Sequence, residues 1–293
     1  MKQICIMFGN CALSGVRDFL KYSTFYDKYE FHQYFNWELI QSDELKIPIQ
    51  IIKQADLVIY QPLSDVEGCY STNKSNPNSF FNLLKPDCIT ISLPRIHNNA
   101  LFPIFFKKRN AIDIYGKINN TVNSIEEVVY LYDNNKIDFD FENRLKRNYE
   151  ISLSKETDCD IKIADFIYNN IGKQKLFLTH DHPSTVTINE ITKHLCDILD
   201  IEYDFTTVSN LGENIIGYED SVYHRKNNQY PISRYAIDHY NFEYIKTEDA
   251  DADSFYRKMT VLSYIYSQPL TNTSVEIANK VRNSVLFESY ANK

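Results

Sequence analysis

The chain has 293 residues, 43% of them apolar and 24% charged, which is enough to bury a sizeable core and too apolar for a disordered polymer. Its net charge of −8 excludes a broad polyanion-holding surface, so no nucleic-acid partner is expected, while a local basic pocket for one phosphorylated cofactor stays allowed. No stretch approaches the roughly 18 apolar residues of a membrane span, and Met1 to Phe8 lacks a small-residue cleavage pattern, so a cytoplasmic protein is expected.

The run from Gln3 to Phe8 has the unbroken apolar character of a central parallel strand. Gly9 ends it, and helical spacing resumes at Ala12, which places Asn10 and Cys11 between a strand's carboxyl end and a helix's amino end. Phe31 to Phe35 reads as a short strand, Pro48 to Gln54 as a brief helix and Ala55 to Gln61 as a strong strand. Residues Val66 to Pro77, rich in Gly, Ser, Asn and Pro, predict a long surface loop. Ser79 to Leu84 is helical and Cys88 to Leu93 is a further strand, delivering Arg95 and His97 to a loop. Helices are predicted over Ser124 to Tyr132, within Phe139 to Leu153 and within Asp160 to Asn170, then a strand over Lys175 to Thr179. Apolar residues at 188, 191, 195, 198 and 199 mark a helix from Thr187 to Leu199, and two more are expected from Ala252 to Ser267 and from Ser274 to Tyr290.

This alternation predicts an α/β fold with a mainly parallel sheet flanked by helices. We expect one domain over residues 1–293, with residues 201–293 as a helical C-terminal addition packed on the core. In open parallel sheets ligands bind beyond the strands' carboxyl ends, and Cys11, Gln61, Arg95 and His97 all fall there.

Six cysteines without close pairing or a CxxC spacing read as free thiols. Cys11 stands apart. A thiol at a helix amino end meets unpaired N–H groups and the positive end of the helix dipole, which favour thiolate and can cradle an oxyanion. His182 is the candidate base, with His180 its competitor, because an imidazole takes a proton near neutral pH. The His180-Asp181-His182 spacing would also suit a metal, but no third or fourth ligand is identifiable and none is expected. Asn10 and Gln61 can either donate amide hydrogens to a developing oxyanion or tie two loops together. Arg17, Arg95 and Lys107-Lys108-Arg109 are possible phosphate contacts, the last run reading more simply as solvated surface. The acidic residues Glu248, Asp249, Asp251 and Asp253 read as favourable charge at a helix start.

Several pieces occur together in order: the strand before Gly9-Asn10-Cys11, Asp56 to Pro62, Ile89 to Pro94, and Phe177 to Ser184. With them the sequence resembles the capsular polysaccharide biosynthesis enzyme family that binds coenzyme A and is grouped with SGNH-like hydrolases and acyltransferases. The resemblance implies an SGNH/flavodoxin-like core with helical additions. It departs from the family at Ala12, where Gln is common, and from SGNH enzymes at Thr179, three residues before His182, where an aspartate is usual.

What the resemblance implies is a coenzyme A-dependent acyltransferase, an O-acetyltransferase above all, acting on a sugar or surface-glycan precursor alongside other glycan biosynthesis enzymes. Cys11, His182 and Asn10 would be catalytic. Gly9, Arg17, Gln61, Arg95, His97 and His180 would line the site for coenzyme A or acetyl coenzyme A. Two alternatives are a Cys/His esterase or deacetylase of glycans and a non-catalytic coenzyme A- or glycan-binding protein.

Overall fold

The computed structural model describes residues 2–102, 122–211, 230–245, 250–267 and 271–282. By contact clustering the chain divides into two compact units. The first is drawn from Met1–His97, Tyr149–Asn169 and His182–Asp220, the second from Asn98–Asn148, Asn170–Asp181 and Ser221–Lys293.

The first unit holds a four-stranded parallel sheet made of β1 (Gln3–Gly9), β2 (Tyr29–Phe35), β3 (Ala55–Tyr60) and β4 (Ile89–Ser92), in the order β2-β1-β3-β4. β1 lies between two neighbours, and Cys5, Ile6, Met7 and Phe8 are wholly buried, which is why its sequence is apolar without alternation. Ile6 and Phe8, two residues apart, share one face and pack with Ile52, Val58, Tyr70 and Phe80. The Phe8 and Phe80 rings meet edge to face at 5.2 Å. Helix α1 (Ala12–Phe19) follows β1 and packs against the helix Thr185–Leu199. In β1 register, Asp56 reaches back from β3 to accept the Ile4 N–H at 2.7 Å and pairs with Lys85.

The stretch expected as a long surface loop carries local order. It contains the 3-10 turn Asp65–Tyr70, and the Asp65 carboxylate accepts hydrogen bonds from Ser71, Asn73 and Asn76. Gly68 takes φ 58°, a backbone region that disfavours side chains.

The second unit is built on the helices Ile125–Asp133, Arg234–Tyr240 and Ala250–Ser267. Arg234 joins them: its guanidinium pairs with Asp253, donates to the Tyr132 carbonyl and lies over the Tyr132 ring at 4.6 Å. Of the acidic group read as charge at a helix start, Asp253 thus serves as an ion-pair partner, while Glu248 and Asp249 lie outside the described residues.

The α/β class and the parallel sheet are present, but among the described residues the SGNH/flavodoxin-like core is not. Such a core adds a further parallel strand beyond the fourth. Here the outer side of β4 is occupied where it ends: Asp160 accepts from the Ser92 N–H and hydroxyl at 2.7 Å, and the Ile161 N–H donates to the Ser92 carbonyl. Nor is the expected strand from Lys175 to Thr179 formed. Its apolar residues Leu176, Phe177 and Leu178 are buried within the second unit, where the Leu178 carbonyl accepts from the Tyr230 N–H instead of from a strand. Apolar sequence alone does not distinguish burial under helices from burial in a sheet.

Candidate functional site

Where β1 gives way to α1, Cys11 takes the N-cap position with helical backbone angles and a partly exposed thiol. Its Sγ lies 3.4 Å from His182 Nε2, with both residues in the first unit. The contact arises because the helix Thr185–Leu199 packs on α1 and its leading segment carries His182 to the thiol. A sulfur and an imidazole nitrogen at this separation can exchange a proton directly.

Beneath the thiol, the backbone is held by a buried amide. Gln61, 1% exposed, accepts the Asn10 N–H on Oε1 at 2.8 Å, while its own N–H donates to the Phe8 carbonyl at 3.0 Å. Among the described residues its Nε2 is buried without a hydrogen-bond partner. Of the two roles open to Gln61 from sequence, the geometry is that of a tie between loops. Gly9 makes the approach feasible, since a Cβ there would lie 3.0 Å from Gln61 Oε1 and 2.5 Å from Leu13 Cδ1.

The first-turn amides of α1 are largely occupied. Asn10 Oδ1 accepts from the Ala12 N–H at 3.0 Å, the Leu13 N–H donates to the Asn10 carbonyl, and the Ser14 N–H to that of Cys11. Oxyanion stabilisation by these amides is therefore narrower than the motif suggested. The Asn10 carboxamide nitrogen, on a partly exposed side chain, is a donor beside the thiol.

Arg17 is committed elsewhere. Its guanidinium donates twice to Asp18 Oδ1, at 3.0 and 2.9 Å, and once to Gln33 Oε1 at 2.9 Å, while Gln33 donates onward to Ser14. Asp18 is 3% exposed, so Arg17 neutralises a carboxylate buried under α1.

A family model for the polysaccharide biosynthesis enzyme WcbI matches residues 4–204, more than half of the chain and both members of the thiol-imidazole pair. The chain belongs to the WcbI family. A solved structure of WcbI is 17% identical over 99% of this chain and 98% of its own, with a TM-score of 0.58. That structure is described as a novel polysaccharide biosynthesis enzyme, in native form without a disulfide bond between coenzyme A and one of its cysteines. At this identity the likeness concerns the fold, and a full-length WcbI-like fold replaces the expected SGNH/flavodoxin-like core. No curated protein matches the sequence.

Within this WcbI-family chain the remaining expected residues are dispersed. Arg95 is exposed and His97 half-buried, both just past β4 in the first unit. His180 is 8% exposed in the second unit, its ring stacked on Tyr230 at 6.0 Å and its carbonyl accepting from the Asn98 N–H. Lys107-Lys108-Arg109 lies outside the described residues. No group of three or more His, Cys, Asp or Glu side chains is placed to hold a metal among the described residues, and no described helix is long and apolar enough to cross a membrane. Sequence reading missed the Ser14-Gln33-Arg17-Asp18 network. Its one signal is that Ser14 and Asp18 stand four apart, hence on one face of α1.

Proposed function

We propose that this protein is a coenzyme A-dependent acyltransferase that moves an acetyl or similar group to a sugar hydroxyl during surface-glycan assembly, with Cys11 as acyl carrier and His182 as proton shuttle. The observation that carries the reading is the 3.4 Å separation of Cys11 Sγ and His182 Nε2 at the carboxyl edge of a parallel sheet. The WcbI structure, whose description sets coenzyme A beside a cysteine, supports the same ligand here, and Cys11 is the counterpart we assign.

The residues present suit such a ligand. A partly exposed thiol faces solvent, an amide donor stands next to it on Asn10, and exposed Arg95 offers a cation on the same sheet edge. When bound as its thioester, coenzyme A supplies an activated acyl carbon and a thiol leaving group. His182 Nε2 takes the proton from Cys11 Sγ, and the thiolate accepts the acyl group. The imidazolium returns that proton to the departing thiolate, so sulfur and proton balance. In the second half His182 takes the acceptor hydroxyl proton as the sugar oxygen attacks the Cys11 acyl carbon, and then returns it to Sγ. Asn10 Nδ2 donates to the carbonyl oxygen as it becomes negative. Gly9 and Gln61 hold the turn that presents these groups.

The test is intact-protein mass spectrometry after mixing with acetyl coenzyme A. An acetyl-sized adduct on wild type that is absent from Cys11→Ala supports the carrier role. Turnover with full activity in Cys11→Ala would overturn it, and thioester hydrolysis with water as the sole acceptor would turn the reading into that of a hydrolase.

A further inference from the structure

Ser14 stands in the first turn of α1 and is 5% exposed. Its N–H donates to the Cys11 carbonyl at 3.0 Å, a bond between residues three apart that winds the start of the helix tightly. Cys11 has helical backbone angles, so the spacing holds for its side chain as well. Side chains three apart in such a turn lie nearly one above the other, and the later one leans toward the helix amino end. Ser14 is thus stacked on the Cys11 side of α1.

The neighbours of Ser14 decide where its hydroxyl proton can go. Arg17 carries donors only, and its Nη1 meets Gln33 at 2.9 Å, so the Gln33 atom facing it is Oε1. That fixes the carboxamide and turns Nε2, again a pure donor, onto Ser14 Oγ at 2.7 Å. Ser14 must accept this bond, which leaves its own proton for another partner. The carboxylate one turn further along α1 does not take it. Asp18 Oδ1 is held by Arg17, and Oδ2 has no hydrogen-bond partner among the described residues. A chain of fixed polarity therefore runs from the Arg17 cation through Gln33 to a buried hydroxyl donor, one turn from a thiol that an imidazole can deprotonate. A negatively charged sulfur is the acceptor this chain lacks, and a hydrogen bond to a charged group is stronger than one between neutral partners.

We propose that Ser14 is a third member of the thiol-imidazole site, its hydroxyl donating to Cys11 Sγ when His182 holds the proton and the sulfur is a thiolate. Gln33 is the positioning residue that acts through it. The inference rests on the acyltransferase reading for what the thiolate then does.

The test is the pH dependence of iodoacetamide alkylation at Cys11, read by mass spectrometry of its peptide. It compares folded wild type, Ser14→Ala, Ser14→Thr, Gln33→Glu and the double change Ser14→Ala with Gln33→Glu. Ser14→Ala is expected to move the midpoint up by about one pH unit and to slow alkylation below it about tenfold, with Ser14→Thr restoring most of the rate. In Gln33→Glu a carboxylate accepts from Arg17 and Ser14 alike and draws the hydroxyl proton off the sulfur. Its loss is expected to match that of Ser14→Ala, and to fall below about twofold once Ser14 is already alanine. An unchanged midpoint in Ser14→Ala overturns the proposal. So does Gln33→Glu slowing alkylation equally in both backgrounds, the mark of a charge acting through space and not through Ser14. Alkylation that depends on Ser14 in a folded protein forming no acetyl adduct from acetyl coenzyme A keeps the donor and sinks the acyl-carrier reading.

Discussion

Cys11 Sγ and His182 Nε2 meet at 3.4 Å although 171 positions separate them in the chain. A thiol is alkylated as its thiolate, so a neighbouring base that takes the proton speeds the reaction. With iodoacetamide near neutral pH, Cys11 is expected to react at least about tenfold more slowly in His182→Ala than in wild type, and His182→Gln to resemble the alanine variant. Rates read by mass spectrometry of the Cys11 peptide decide it; equal rates would show that the imidazole does not serve the thiol.

Gln61 and Gly9 are expected to show their value in stability before activity. In Gln61→Leu the Asn10 N–H loses its acceptor, a loss of about 1–3 kcal/mol, whereas Gln61→Glu retains an oxygen there. Gly9→Ala forces a methyl against Leu13 and Gln61, costing about 1–3 kcal/mol by overpacking. Urea denaturation followed by circular dichroism would measure each, and a Gly9→Ala midpoint equal to wild type would mean that the turn relaxes freely.

Removing Arg17 is expected to damage the fold rather than ligand affinity. Arg17→Ala leaves the buried Asp18 carboxylate with only Lys21, at 3.6 Å, and should destabilise by about 3 kcal/mol, while the double change Arg17→Ala with Asp18→Asn recovers much of that. Stability curves of the single and double variants form the check. A stable Arg17→Ala protein with weakened coenzyme A binding would return Arg17 to the phosphate site.

Acid sensitivity should trace in part to Asp56. The Lys85 hydrogen bond, aided by the Ile4 N–H, holds its carboxyl below the usual range. A depressed folded pKa means that the unfolded chain binds the proton more readily, so this stabilisation is complete above the unfolded value of about 3.9 and fades as pH falls through the folded one. Asp56→Asn is therefore expected to be less stable than wild type near neutral pH and to lose less on acidification toward about pH 3. Parallel slopes of denaturation midpoint against pH would rule the pair out as a source.

Much of the sheet was legible in sequence because its signals are local. The apolar run of β1, its stop at Gly9 and the helical spacing from Ala12 each depend on neighbouring residues, and they placed Cys11 at the strand-helix junction. Family membership was legible too, from short motifs in a fixed order. Tertiary structure decided the rest, because it concerns partners distant in the chain. Of two histidines two residues apart, packing of one helix on another brought His182 to the thiol and left His180 stacked on Tyr230. Arg17 and Arg95 are equally plausible cations on paper; a buried aspartate claims the first, and the second stands exposed just past β4. Leu176, Phe177 and Leu178 are as apolar as a strand, yet they are buried within the second unit without forming one, with the Leu178 carbonyl accepting from the Tyr230 N–H. Local pattern determines which elements form, and competition for backbone partners and buried space determines what each one meets.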